Sequence, residues 1–231
     1  GILINAEKTI GGLLAKIRYS YGIISTVSRL DTGVSSLENI SESFILTKQA
    51  GFKRKYEEKS AELSKITAST LKNSAAIGVR KILSGVSNNI TNHATQFQNI
   101  AGKQNIIGKN TKVGLINQVN KSGTTLQKQI NQSMNIKLIS EINKIRILES
   151  KINININLDS AKIFLDSISN LRQSIMASPI NRQIKLSLDK TLQIYASDSE
   201  RLAQTKLLQS SEISQMRDAG DQLRLDITSL K

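Results

Sequence analysis

Cysteine is absent from this chain, and proline occurs once in 231 residues, at Pro179. Without cysteine the chain has no disulfide, no thiolate nucleophile and no Cys-ligated metal site. Because proline interrupts helices and fills loops, its scarcity predicts long uninterrupted helices. The sequence also lacks any apolar run of about 18 residues, which argues against a helix that spans a membrane.

Aromatic residues are equally scarce, since the chain has no Trp and only four Phe and four Tyr. A broad globular core normally depends on such large side chains. The apolar content lies instead in Ile, Leu, Val and Ala, which suit narrow seams between helices. The sequence therefore predicts an all-α fold, an elongated helical bundle.

Carboxylates are missing from the middle of the chain. Residues 63–140 are 78 consecutive positions without Asp or Glu, whereas they carry ten Lys or Arg. The flanks are nearly neutral, with nine basic and seven acidic residues before position 63 and thirteen and eleven after position 140. A basic segment of this kind predicts an acidic partner. The candidate binding residues are Lys65, Lys72, Arg80, Lys81, Lys103, Lys109, Lys112, Lys121, Lys128 and Lys137.

Residues 1–36 are predicted to form an amphipathic N-terminal helix. Ile10, Leu13, Leu14, Ile17, Tyr21 and Ile24 follow one another at steps of three and four residues, with one step of one, so they share one helical face. Two interpretations of this face remain open. It either lies in a membrane interface, as basic amphipathic helices do, or packs on its neighbours.

The next boundary is predicted at residues 31–36, where Gly and Ser suggest a break, and a second long helix is predicted over 37–75. Residues 76–140 form the basic middle segment, which is rich in Gly, Asn and Gln. Within it, residues 105–116 suit either a β-hairpin with its tip at 108–111 or the loop of a helical hairpin. We favour the helical hairpin.

Residues 141–231 are predicted to be mainly helical. The stretch 151–158 alternates apolar and polar residues, which is typical of a strand, but a lone strand has no partner, so helix is favoured. A shorter helix is predicted from Asp159, with Asp159 or Ser160 as its N-cap. It is predicted to end near Ser178, because the residue before Pro179 is disfavoured in a helix.

The strongest pattern in the chain is a seven-residue repeat over 182–231, which predicts a long, coiled-coil-like C-terminal helix of about 60–75 Å. Gln209 is the one polar member of the row. We expect this helix to pack against the helix near residues 37–75. The predicted helix-seam residues are Leu188, Tyr195, Leu202, Met216, Leu223 and Leu230.

Residues for catalysis are hard to find. His93 is the single histidine, and no Asp or Glu lies within thirty residues of it, so it lacks local partners for a metal site or a proton relay. The pair Glu57 and Glu58 and the acidic residues near Asp221 lie among polar neighbours on predicted helices, as solvated charges do. The stretch 102–110 fails the spacing of a phosphate-binding loop. We therefore predict no enzyme, no cofactor, no metal and no small-molecule substrate.

These features favour a structural or assembly protein that packs through helix seams into a larger complex and presents a basic face to an acidic partner. Filaments, secretion or injection devices and phage particles use such helices, so a bacterial surface, a secreted location or a virion is favoured. The expected partners are other protein helices, in a homo-oligomer or a multiprotein complex. Two alternatives are a membrane-active protein that inserts residues 2–30 and 82–102, and a non-specific nucleic-acid-binding or ejection protein.

Overall fold

The computed structural model of the protein describes residues 2–231, and over that range it is built of helices without any strand. The all-α prediction and the long C-terminal helix are thereby confirmed, and the latter contains 47 residues. The helices are α1 (Ile2–Thr47), α2 (Ala50–Asn73), α3 (Ile77–Ile107), α4 (Gly114–Gln132), α5 (Ile136–Ile154), α6 (Leu158–Ala177) and α7 (Arg182–Thr228).

The chain divides into two compact units. Unit 1 comprises the chain up to Gln98 together with Ile213–Lys231, and unit 2 comprises Asn99–Glu212. Both boundaries fall inside helices, α3 and α7 respectively. The segments predicted from charge and composition, which ended at residues 36, 75 and 140, do not coincide with these units. Of those three positions, only 75 lies between helices, in the short link from α2 to α3.

The core of unit 1 forms where α1 packs along α2. Leu30, Val34 and Leu37 of α1 are almost fully buried. An aromatic cluster completes this core, with Phe97 stacked on Tyr56 at 3.6 Å between ring centroids and set edge-on to Phe44 at 5.2 Å. Aromatic pairs at such separations add to the stability gained from burial alone.

The predicted break at residues 31–36 is wrong, because α1 continues through it to Thr47. Gly33 is buried, and a Cβ added there would clash with Cδ2 of Leu63. This glycine therefore permits close packing of α2 instead of ending the helix. The break occurs at Lys48, whose φ of 57° is left-handed and whose N–H donates to the carbonyl of Phe44 at 2.7 Å.

Unit 2 has its own core, in which α5 packs on both α4 and α6. Phe164, Leu171, Leu126 and Ile142 are among its fully buried residues. Tyr195 joins them from α7, with its ring edge-on to Phe164 at 6.3 Å between centroids.

The ambiguous stretch 151–158 is helical as far as Ile154, where α5 ends. Ile145 and Ile152 share the buried face of α5, whereas Ile154 is exposed. The N-cap of α6 is Asn157, not the predicted Asp159 or Ser160. Its side chain accepts from the N–H of Ser160 at 2.8 Å, and the hydroxyl of Ser160 accepts from the N–H of Asn157 at 2.9 Å. Together these bonds form a capping box.

The remaining predicted features lie as follows. Residues 108–113 form the loop between α3 and α4, so the β-hairpin is not formed there. Five of the six seam residues of the C-terminal helix are buried, and Leu230, beyond the end of α7, is partly exposed. Gln209 donates to the carbonyl of Ile100 at 3.1 Å, which gives the polar member of the row a hydrogen-bond partner. In unit 1, α7 pairs with α1 through Arg217 and Glu42 at 2.8 Å.

Candidate functional site

The ten predicted binding residues are divided between the two units. Lys65, Lys72, Arg80 and Lys81 lie in unit 1, and the other six lie in unit 2. Nine are exposed. Lys103 is the exception, since it is partly buried and forms an ion pair with Glu212 at 2.5 Å.

A second feature of unit 1 is the first half of α1. Every residue from Ile2 to Gly22 is exposed, so this stretch has little packing against the described chain. Within residues 2–231, its apolar face is therefore not covered by other helices of this chain. We call this face the α1 stripe, and its side chains are between 48% and 79% exposed. The stripe consists of Leu3, Ile10, Leu13, Leu14, Ile17, Tyr21 and Ile24.

The α1 stripe is separate from the face by which α1 packs into unit 1. At about 100° per residue, the stripe occupies an arc of about 100°. The buried positions of α1, such as Leu30 and Val34, centre about 150° away around the same helix. The helix therefore carries two apolar faces on nearly opposite sides. One is covered by unit 1, and the other has no cover from the residues that the structure describes.

Six cations lie within seven residues, along the chain, of the cleft where α1 leaves the body of unit 1. The cleft is lined by residues 19–29 of α1, residues 66–73 of α2 and Ser74, and Tyr19 Oη lies 3.2 Å from Ser74 Oγ. Residues 74–76 then link α2 to α3. We call these cations the basic collar. They are Lys16 and Arg18 of α1, Lys65 and Lys72 of α2, and Arg80 and Lys81 of α3.

Carboxylates do not neutralise the basic collar. Within residues 2–231, none of its six members takes part in an ion pair, whereas the nearby Asp31 and Glu62 are already paired, with Lys231 at 3.1 Å and Lys59 at 2.8 Å. A cleft elsewhere in unit 1 differs in this respect. There Arg217 binds both carboxylate oxygens of Glu42, at 2.8 and 2.9 Å, and holds the pKa of Glu42 below its usual range.

His93 lies in the core of unit 1, not on a reactive surface. Its side chain is 1% exposed, and its Nδ1 lies 2.6 Å from Tyr56 Oη. Burial lowers the pKa of His93 to about 4, although the charge of Glu42 opposes this shift. The imidazole is therefore neutral at pH 7 and serves as a hydrogen-bonding core group.

Unit 2 contains a buried polar cluster that no sequence pattern indicated. The carboxylate of Glu149 accepts from Tyr195 Oη at 2.6 Å and from Arg146 Nη1 at 2.5 Å. Arg146 also donates to Asn120 Oδ1 at 2.8 Å. Burial raises the pKa of Glu149, while both hydrogen bonds act in the opposite direction. Through Glu149 and Arg146 the cluster joins α4, α5 and α7 in the core of unit 2.

The cations of unit 2 form a sparser surface. Lys109 and Lys112 lie in the loop between α3 and α4, and Lys121 and Lys128 lie seven residues apart on the exposed side of α4. Lys137 is 4.0 Å from Glu141 and so has a partial counter-charge. Among the predicted residues of unit 2, exposed cations without an ion pair are therefore confined to this loop and to α4.

The sequence prediction did not include Lys16 and Arg18 among the binding residues. The signal that identifies them is a second gap in the carboxylates, because α1 has four Lys or Arg and no Asp or Glu over residues 8–30. The other predicted membrane segment, residues 82–102, differs from the α1 stripe in its exposure. Its apolar residues Leu83, Val86, Ile90 and Phe97 are buried.

In the described part of the chain, no group of His, Cys, Asp and Glu side chains is arranged to hold a metal ion. None of the helices from Ile2 onward combines the length and the hydrophobicity that a membrane-spanning segment needs. No protein-family model and no curated protein matches this sequence significantly.

Proposed function

We propose that this protein is a non-enzymatic structural protein that docks on an acidic partner through the basic collar. The observation that supports this proposal is the local charge balance at the collar. Six exposed cations from three helices lie close in the chain to the cleft between α1 and α2, without an ion-pair partner among residues 2–231. Unpaired cations at one place create a positive potential that attracts polyanions and falls with salt.

The test compares two variants that lose the same charge at different places. In the collar variant, Lys65, Lys72, Arg80 and Lys81 are replaced by Gln. In the control variant, Lys109, Lys112, Lys121 and Lys128 of unit 2 are replaced by Gln. All eight side chains are exposed, so both proteins are expected to fold.

Binding to heparin, a soluble polyanion, is measured as the salt concentration that releases each protein. The collar variant is expected to elute at clearly lower salt than the control variant, because its losses are concentrated where the potential is highest. Equal losses in both variants would mean that net charge alone drives binding. That result, or no binding by the wild type, would overturn the proposal.

A second candidate function is assembly with other protein helices, which one observation favours. Leu3, Ile10, Ile17 and Ile24 of the stripe recur every seven residues, as in a seam between helices. Light scattering over a wide concentration range tests this candidate. Self-association that disappears in the Ile10→Ser and Ile17→Ser double variant would support it, and a wild type that stays monomeric would count against it.

A further inference from the structure

We infer that the acidic partner is an anionic lipid bilayer, and that the first half of α1 lies flat in its interface with the α1 stripe against the hydrocarbon. This inference rests on the proposed docking function of the basic collar. It adds the chemistry of the partner and the residues that enter it.

The first step is that the stripe requires an occupant. Seven apolar side chains on one face of a helix, each about half exposed or more, form a larger patch than a monomeric surface usually carries. The helix that bears them also has Gly11, Gly12 and Gly22, each with open space around it. A segment of about 20 residues with three glycines is a marginal helix in water, so contact with an apolar phase stabilises it.

The second step is that the occupant combines an apolar and an anionic region. The stripe and the basic collar occur on the same end of unit 1, since Lys16 and Arg18 belong to the helix that carries the stripe. At about 100° per residue, these two cations lie on opposite flanks of the stripe. Basic residues beside an apolar face are typical of helices that lie in a membrane interface.

Other observations suit an interfacial helix in the same way. Tyr21 is part of the stripe and is 72% exposed, and tyrosine is enriched at the level of the headgroups. No described helix is built to cross a membrane, which fits a helix that lies in the interface plane. Lys16 and Arg18, which lie on this helix beside the stripe, add attraction to acidic headgroups within about 8–10 Å.

The geometry of α1 leaves room for this arrangement. Because its two apolar faces are on nearly opposite sides, α2 covers the side of α1 that faces away from the stripe. With the stripe on the bilayer, the body of unit 1 lies above the helix and does not collide with the headgroups. A stripe on the same side as the core would have placed α2 between the helix and the membrane.

Two other occupants fit the observations less well. A second copy of the chain would cover the stripe, but it would bring two sets of unpaired cations together in a protein whose net charge is already +14. Nucleic acid would match the collar but would leave the apolar stripe in water. An anionic bilayer satisfies both requirements at once.

The experiment measures flotation of the full chain with phosphatidylcholine vesicles, with and without phosphatidylserine. The stripe variant carries Ile10→Ser and Ile17→Ser. Its matched control carries Ile147→Ser and Ile163→Ser in unit 2, where the two side chains are 58% and 55% exposed. The collar variant and its unit 2 control described above complete the set. Circular dichroism verifies that each variant is folded.

The wild type and both unit 2 controls are expected to bind the anionic vesicles strongly and neutral vesicles weakly. The stripe variant is expected to bind the anionic vesicles about tenfold more weakly for each isoleucine removed. The collar variant is expected to bind the anionic vesicles more weakly, by less than about fivefold for each cation because these cations are not on the inserted helix, and the loss is expected to shrink as salt is added. Amide hydrogen exchange over residues 2–24 is expected to slow when vesicles are added.

Each contrary result has a distinct meaning. Binding to heparin through the collar without binding to vesicles would overturn the lipid inference and leave the proposed docking function standing. Failure to bind either would overturn both. Vesicle binding that the stripe variant retains would show adsorption by charge alone, and would overturn the placement of α1. Stripe-dependent self-association or preference for duplex DNA, without vesicle binding, would assign the surface to those partners instead.

Discussion

Gly123 of α4 packs closely against the side chains of two other helices in unit 2. A Cβ at this position would clash with Nη1 of Arg146 and lie 2.9 Å from Cε2 of Tyr195. Both side chains belong to the buried cluster around Glu149 and cannot move without losing hydrogen bonds. We therefore expect Gly123→Ala to lower the free energy of unfolding by about 2–3 kcal/mol, measured by chemical denaturation.

Gly102 of α3 provides the matched control for this substitution, because it is also a helical glycine of unit 2 but has open space around it. Gly102→Ala is expected to raise the free energy of unfolding by up to about 1 kcal/mol, since alanine favours the helix. If the two alanine variants shift stability in the same direction, contact with Arg146 and Tyr195 does not explain the need for glycine at position 123.

His93 makes unit 1 sensitive to acid. Its pKa is lowered to about 4 in the folded protein from an ordinary value of 6.5, so the unfolded chain binds a proton first as the pH falls. Stability is therefore lost between about pH 6.5 and pH 4, by about 3 kcal/mol at the low end. Denaturation at several pH values is expected to show this loss in the wild type but not in His93→Gln, whose amide retains a partner for Tyr56. An equal loss in both proteins would contradict the assignment.

At the scale of the element, the capping box of α6 determines where that helix begins. Asn157→Ala removes the side chain that accepts from the N–H of Ser160, so we expect a loss of about 1 kcal/mol in the free energy of unfolding. Asn155→Ala is the matched control, because Asn155 is exposed and its side chain has no hydrogen bond among the described residues. Equal effects of the two substitutions on chemical denaturation would mean that the cap contributes nothing specific.

Helix type and the long heptad row were predictable because they depend on local spacing. Leu188, Tyr195 and Leu202 recur every seven residues, and the periodicity alone places them on one face. The end of α6 was predictable for a similar reason, since Pro179 acts on its own neighbour. Features that arise within a few turns of one helix can be read from the sequence.

Features that depend on a second helix could not be read in the same way. Gly33 lies in a stretch whose glycine and serine residues predicted a break in the helix. Its actual role is to allow Leu63 of α2 to pack closely against α1, and the local sequence does not show this contact. The partners of Glu149 lie on α5 and α7, so no local pattern identifies that cluster. The stripe itself was recognised from its spacing. Only the structure indicates that it is uncovered, because coverage depends on where α2 packs.

At the scale of the whole molecule, the net charge of +14 includes cations that are paired with carboxylates and cations that are not. Some cations, such as Arg217 with Glu42, are matched by carboxylates within their unit. Those of the basic collar are not. The acid-free segment predicted one docking face, but its ten cations are divided between two units. The four in unit 1 belong to the same unit as the α1 stripe, so that unit carries both unpaired cations and an exposed apolar face.

The two units are expected to respond to acid in opposite directions. His93 in unit 1 costs stability as the pH falls below about 6.5, because its folded pKa is lowered to about 4. Glu149 in unit 2 has a raised pKa in the folded protein, so its contribution is present in acid and is lost as the pH rises through that value. The ordinary pKa values of these two groups are 6.5 and 4.5. As the pH falls from about 6.5 to about 4.5, unit 1 is therefore expected to lose stability while unit 2 does not.

Amide hydrogen exchange, corrected for the intrinsic effect of pH, separates the two responses within one molecule. We expect α2 of unit 1 to lose protection as the pH falls through this range, whereas α5 and α6 of unit 2 keep theirs. The His93→Gln variant is expected to restore protection in α2 and to leave unit 2 unchanged. Loss of protection in both units at the same pH would mean that they unfold together. Protonation of His93 would then lower the stability of the entire chain and not of unit 1 alone.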